Sequence, residues 1–148
     1  HAITTVYLRY AQAVKLPAPL TGFADGTAQW VLHRGALGLP DNEVAVVISV
    51  SDYTEAWKDK DLAEKIHADI KRVCPDLDKP EAIRIITEKR ATTAATVDFV
   101  QPDFSWLHHR RIYPAGDYLH PRYPATLEAA VQSGFAAAEK LMLDLRVE

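Results

Sequence analysis

The sequence predicts an α+β fold: a mixed or antiparallel sheet with a packed helix, followed by a C-terminal strand–helix unit. Three observations point there. Short runs dense in β-branched and aromatic residues recur at 3–10, 28–33, 44–50 and 82–88. Between the third and fourth runs, Leu62, Ile66, Ile70 and Val73 recur at helical spacing with charged residues around them. A second helical period fills the end of the chain.

Residues 3–10, Ile-Thr-Thr-Val-Tyr-Leu-Arg-Tyr, alternate imperfectly and read as the first strand. Pro17 and Pro19 then keep 16–20 extended and away from a sheet centre. Asp25-Gly26 signals a turn, and 28–33 reads as a second strand. After a loop with Gly35, Gly38 and Pro40, the strongly apolar stretch Val44–Val50, which does not alternate, predicts a strand buried on both faces. Asp52-Tyr53-Thr54-Glu55 has the spacing of a capping box, so a helix is expected over 54–73, stopped by Pro75. Residues 82–88 read as a strand, and the chain through Phe104 as loop. Arg111–Ala115 is a short strand candidate ending in Gly116-Asp117. From Ala125, the positions Leu127, Val131, Phe135, Ala138, Leu141, Met142 and Leu145 mark a long amphipathic helix, with Pro124 in its first turn.

Composition narrows the function classes. Lys plus Arg is 17 and Asp plus Glu is 20 in 148 residues, a net charge of −3. That balance favours no nucleic-acid partner. Hydrophobic residues at 48% and charged residues at 25% are the proportions of a folded globular protein. The longest apolar run, 44–50, is far short of the roughly 20 residues of a spanning helix. The single cysteine, Cys74, excludes an intramolecular disulfide framework and suits a cytoplasmic setting.

Several common chemistries have no motif. The glycines form neither G-x-G-x-x-G nor a P-loop, so no glycine-rich pyrophosphate cradle is present. There is no G-x-S-x-G elbow, and Cys74 has no activating partner in the pattern. His108-His109 are adjacent, which is poor chelating geometry, and no metal site is expected. The helix carboxylates Asp59, Asp61, Glu64 and Asp69 read as a solvated face.

The informative segment is Ile112-Tyr113-Pro114-Ala115-Gly116-Asp117-Tyr118, with Tyr123-Pro124-Ala125-Thr126-Leu127-Glu128-Ala129-Ala130-Val131-Gln132-Ser133-Gly134-Phe135-Ala136-Ala137-Ala138. A strand ending in Gly-Asp lets a ligand approach the backbone at Gly116 and offers the Asp117 carboxylate to hydroxyl donors. The helix beyond it presents free N–H groups with a partial positive charge. Ser133 and Gly134 in mid-helix weaken it by about 1 kcal/mol for the glycine, which suggests close packing there.

This segment resembles the C-terminal flavin-binding signature of FAD-dependent amine oxidases and carotenoid-type desaturases, a strand ending in A-G-D or A-G-E, a loop, and a helix with E-G/A-A-x-x-S-G-x-x-A-A. Thr5–Leu8, Gln29–Leu32 and Glu88–Thr92 are similar to the squalene-associated FAD-dependent desaturases (hydroxysqualene dehydroxylase type). The resemblance implies FAD as cofactor, held by Gly116, Asp117, Pro124, Ala125, Thr126 and Leu127, with no metal. Lys89 is the catalytic candidate, because a lysine approaches flavin N5 in related oxidases. Residues 1–108 would be a substrate-domain portion and 109–148 the last strand and helix of the FAD-binding domain. The glycine-rich half that precedes these in the family is missing, so the chain reads as a C-terminal fragment, inactive alone and prone to homo-oligomerise. The intact enzyme is expected to act on a large apolar isoprenoid by hydride transfer, with room for peripheral membrane contact. Two alternatives stay open: a monoamine oxidase-like enzyme acting on an amine, and a non-catalytic α+β binding or assembly module.

Overall fold

Five runs of the chain pair into one sheet because their alternating residues supply a continuous apolar face. They are β1 (Ile3–Arg9), β2 (Leu20–Gly22), β3 (Trp30–His33), β4 (Glu43–Ser49) and β5 (Ala82–Glu88). In this computed structural model, residues 1–94, 96–98 and 100–146 are described. Contacts divide the chain into two units, His1–Thr92 and Thr93–Glu148.

The sheet of the first unit has the order β2-β3-β4-β1-β5, and every neighbouring pair is antiparallel. Since β4 and β5 both oppose β1, they run parallel to each other. A connection between parallel strands must return along the sheet. Helix α1 (Asp59–Lys71) makes that return and covers one face. The mixed-or-antiparallel expectation is met in its antiparallel form. The three-residue β2 was read only as extended chain, and it lies at an edge, where its neighbouring prolines are tolerated.

Register separates the two faces. On one, Val31, Val46 and Val6 lie in a row opposite Ile85, and Val44 and Leu8 lie beside them. Leu62, Ala63, Ile66 and Ile70 of α1 close over this face, and Ile66, Ile70, Val6 and Val46 are fully buried. Each such side chain contributes roughly 1.5–3 kcal/mol through removal from water. Tyr10 is buried at the edge of this core, its hydroxyl 3.2 Å from Nδ1 of His67. Burial raises the Tyr10 pKa and lowers that of His67, so both groups remain neutral near pH 7.

The opposite face carries Leu20, Leu32, Ala45 and Tyr7 in one row, and Trp30, Val47, Thr5 and Ile86 in the next. Trp30 is 50% exposed, Leu20 53% and Ile86 45%. The Trp30 ring lies over Gly22, where a Cβ would come within 2.9 Å of it. The expectation of β4 buried on both faces is therefore met at Ala45 and relaxed at Val47, which is half-buried.

Gly26 is in the left-handed region at φ 100°, as its turn requires. Oδ2 of Asp69 accepts the Thr27 and Ala28 N–H groups at 2.7 and 2.9 Å, so the α1 end holds this turn. Asp69, expected on a solvated face, is a turn anchor.

The helix expected over 54–73 is shorter. Ser51–Ala56 forms a 3-10 turn, entered through Val50 at φ 52°, and extended Trp57 separates it from α1. No capping box forms: Asp52 instead meets the His1 ring at 3.1 Å, and Thr54 donates to the Ser51 carbonyl. The helix starts where Asp59 and Asp61 favour its positive end.

In the second unit, Ser105–His108 forms a single helical turn, α2, and Asp117–Leu119 a 3-10 turn. The loop expected through Phe104 includes residues 95 and 99, which lie outside the described residues. Helix α3 (Leu127–Arg146) closes the chain. Arg111–Ala115 is not a strand. Arg111 has φ 57°, Ile112 N–H bonds to the Leu107 carbonyl, and no strand of the described residues in this unit offers it a ladder. α3 begins at Leu127 rather than 125, with Pro124 outside the first turn. Thr126 is the N-cap, its Oγ1 accepting the Ala129 N–H at 3.1 Å.

The apolar stripe of α3 is largely uncovered. Leu127 is 90% exposed, Phe135 68% and Met142 54%, and Ala129 alone is buried among the described residues of the helix. Open apolar surface together with the free edge of β5 favours self-pairing. We expect the isolated chain to sediment and scatter light as a dimer or larger species at high concentration. A clean monomer across the concentration range contradicts this.

Candidate functional site

The Gly116–Leu127 segment owes its shape to two adjacent residues of α3. Ser133 Oγ accepts the Gly116 N–H at 2.8 Å and donates to the Ala130 carbonyl at 3.0 Å. One residue earlier, Gln132 Oε1 accepts from Tyr123 Oη at 3.0 Å and lies 3.1 Å from His120 Nε2. Nδ1 of His120 accepts the N–H groups of Arg122 and Tyr123, so this histidine carries its proton on Nε2. Its ring stacks on Tyr123 at 3.7 Å between centroids. The segment is thus gripped at both ends, with Asp117 just past the first anchor.

Asp117 is half-buried and opens the 3-10 turn that packs on α3. Its carboxylate makes no hydrogen bond or ion pair with the described residues. At the start of α3, the Thr126 hydroxyl serves Ala129 and the Thr126 carbonyl serves Ala130. Leu127 and Glu128 keep their N–H groups for an outside acceptor, as the first residues of a helix do. Ala125 sits at φ 60°, a conformation that strains a residue with a Cβ by roughly 1–2 kcal/mol. This strained residue turns the chain into the cap.

Gly116 needs its missing side chain for a different reason from the one the motif suggests. A Cβ there would overlap the Tyr118 ring, which packs edge-on against Phe104 at 6.3 Å. Gly116 is extended at φ 168°, so no unusual backbone angle is involved. Gly134, expected to mark close packing, has nothing within 4 Å of its would-be Cβ. The packing expected of the Ser133-Gly134 pair falls on the serine alone.

Lys89 lies just beyond β5, 78% exposed, with its Nζ 3.8 Å from Glu55 Oε1. It is in the first unit, in an ordinary surface pair. A cavity of about 420 Å³ does occur in the second unit, lined by Phe104, His108, Tyr113, Leu119, Ser133 and Ala136 among others. None of Gly116, Asp117, Pro124, Ala125, Thr126 or Leu127 lines it. Beside it, Tyr113 donates to Asp144 at 2.9 Å. Lys140 first and the Tyr113 hydroxyl second hold the Asp144 carboxyl below the usual carboxylate range.

These residues fit a flavin nucleotide in their donor set. A free, half-buried carboxylate suits ribityl or ribose hydroxyls, and two unused helix N–H groups suit an electron-rich carbonyl edge. Sequence reasoning singled out Asp117 and the helix start as candidates through the Gly-Asp and Glu-Ala-Ala pattern. It missed His120, Tyr123 and Gln132, whose hydrogen bonds depend on loop geometry that no spacing rule encodes.

Comparison with known proteins gives the chain a flavoprotein family. The family model described as flavin containing amine oxidoreductase matches residues 3–142. A hydroxysqualene dehydroxylase of Zymomonas mobilis subsp. mobilis is 31% identical over 130 residues, 81% of this chain and 28% of that protein. A hydroxysqualene dehydroxylase of Rhodopseudomonas palustris is 31% identical over 145 residues, 95% of this chain and 32% of that protein. The chain therefore spans about a third of the length of the curated relatives it matches. With 3–142 accounted for, it belongs to the flavin containing amine oxidoreductase family.

Proposed function

We propose that this chain is the C-terminal part of an FAD-dependent oxidoreductase acting on a large, apolar, squalene-type isoprenoid. The observation that carries the reading is the likeness to two hydroxysqualene dehydroxylases along most of the chain. Residues 1–108 form a portion of the substrate domain, and 109–148 form the last segment of the FAD-binding domain. Bound FAD supplies two-electron chemistry by exchanging hydride at its N5. Asp117 would accept hydrogen bonds from ribityl or ribose hydroxyls, and the Leu127 and Glu128 N–H groups would be donors for an electron-rich carbonyl of the flavin. Thr126 caps the helix and so leaves those two donors free. Pro124 and Ala125 shape the entry to the cap.

The apolar substrate class suits the uncovered face of the sheet. Leu20, Trp30, Leu32, Val47 and Ile86 form an apolar strip across it, beside which Arg84 follows Tyr7 in register and Arg34 lies over the Tyr7 ring, and a hydrocarbon gains by covering the strip. The Glu43 carboxylate, on the same face of β4 as Ala45 and Val47, is already paired with Arg34. No described helix is long and apolar enough to cross a membrane.

The test compares absorbance spectra. The full-length gene product should show flavin absorbance bands with near-equimolar FAD. The 148-residue chain alone should not, because it has no glycine-rich pyrophosphate cradle. A colourless full-length product that takes up no added FAD sinks the reading and favours a non-catalytic module. Equimolar flavin on the isolated chain sinks the division of labour between the two halves of the cofactor site.

A further inference from the structure

We propose that Ser133 is a positioning residue for the cofactor: it pins the Gly116–Asp117 turn to α3 and so sets where the Asp117 carboxylate points. The proposal rests on the FAD reading above and adds to it the residue through which α3 controls the acceptor.

The geometry singles out this serine. A serine inside a helix often returns its hydroxyl to a carbonyl one turn back, and Ser133 does so with Ala130 at 3.0 Å. That commits the hydroxyl proton and leaves the oxygen lone pairs facing outward. The Gly116 N–H fills one of them at 2.8 Å, a bond between residues 17 apart in sequence. Without it, Gly116 has no other described partner for its N–H. The neighbouring Gln132 holds His120 and Tyr123, so the 116–123 segment is tied to two consecutive helix positions. Asp117 lies between these ties, one residue from the serine-held amide. Releasing the Gly116 end frees the glycine side of the turn from α3, so the carboxylate beside it must be ordered when ligand binds, which weakens binding.

A hydroxyl is required and a larger residue is tolerated. Threonine in a helix makes the same return bond through Oγ1, so Ser133→Thr keeps the acceptor while Ser133→Ala removes it. Ser133 is half-buried.

The test has two arms. On the 148-residue chain, amide hydrogen exchange at Gly116 should accelerate in Ser133→Ala and return to the wild-type rate in Ser133→Thr. Unchanged exchange in Ser133→Ala overturns the link, whatever the cofactor. On the apo form of the full-length gene product, FAD titration followed by flavin fluorescence should give a Kd raised roughly tenfold in Ser133→Ala, the size expected for one neutral hydrogen bond and its ordering. Ser133→Thr should restore it. In an Asp117→Asn background, Ser133→Ala should add little, because the serine acts through that carboxylate.

Full additivity in that background overturns the positioning role, as does an unchanged Kd in Ser133→Ala against a flavin-binding wild type. A wild type that binds no FAD overturns the cofactor reading and this role together, while the exchange arm still reports on the bond. Thermal melts of each variant separate a loss of folding from a loss of positioning: a Ser133→Ala protein that melts as wild type and binds FAD weakly supports the proposal. One whose weaker binding scales only with lost stability, and is not rescued by threonine, overturns it.

Discussion

Asp117→Ala in the full-length gene product is expected to weaken FAD binding tenfold to a hundredfold. The side chain is half-buried, and no described residue competes for its oxygens. A hydrogen bond to a charged acceptor contributes roughly 1.5–3 kcal/mol, and 1.4 kcal/mol is a factor of ten in affinity. Substitution should leave the fold intact, since Asp117 bonds to the rest of the turn through its carbonyl, which accepts the His120 N–H at 3.4 Å. The control must lie on the same helix without touching the turn. Asp144 fails that condition because it holds Tyr113 and Lys140. Glu139 is exposed and serves instead, and Glu139→Ala should keep wild-type flavin content. An Asp117→Ala protein that folds normally and keeps its FAD through extensive dialysis leaves the Gly-Asp turn as a turn and nothing more.

What the sequence carried forward, and what it did not, follows from where the information is stored. β1, β4 and β5 were legible because each is decided by its own β-branched residues, and the register then follows from which face must be buried. The Leu62-Ile66-Ile70 stripe was legible for the same reason. The start of α1 was not: the capping-box pattern at Asp52–Glu55 is local, whereas His1 reaches Asp52 from the far end of the first strand. Val50 then takes a left-handed angle that its residue type disfavours. The Arg111–Ala115 strand failed differently. A strand exists only as half of a ladder, and no described strand in that unit pairs with it.

The candidate site divides along the same line. Asp117 and the start of α3 are candidates legible in the sequence because an acid after glycine and an apolar helical period are patterns in it. Thr126 is among the residues that the resemblance implies for FAD, and its hydroxyl caps the helix. Ser133 was flagged only as an oddity in mid-helix, and its partner Gly116 lies across a loop. The two helices also teach opposite lessons from similar patterns. The stripe of α1 is closed over by sheet, while that of α3 stands open from Leu127 to Leu145. Periodicity reports that a face is apolar and says nothing about what covers it.

That contrast gives a measurement. Ile66→Ala in the 148-residue chain is expected to destabilise the first unit by about 2–5 kcal/mol, the range for deleting a large aliphatic side chain from a packed core. Ile66 is 0% exposed and sits among Ile70, Leu62 and the valines of β1 and β4, so the vacated space is lined on all sides by side chains that backbone pairing holds in place. Such a site collapses poorly, and the effect belongs in the upper half of the range. A single domain has only about 5–15 kcal/mol of stability in total, so the variant should lose much of its urea midpoint. Leu127→Ala deletes a similar volume from the same kind of apolar stripe. At 90% exposed it removes almost no buried contact, and the change should stay within about 0.5 kcal/mol. Both unfolding curves should be taken at low protein concentration, where self-association through α3 does not mask the comparison. Near-equal midpoints for the two variants contradict the assignment of α1 to the core. A large loss in Leu127→Ala alone means that α3, and not the sheet, carries the stability of the chain.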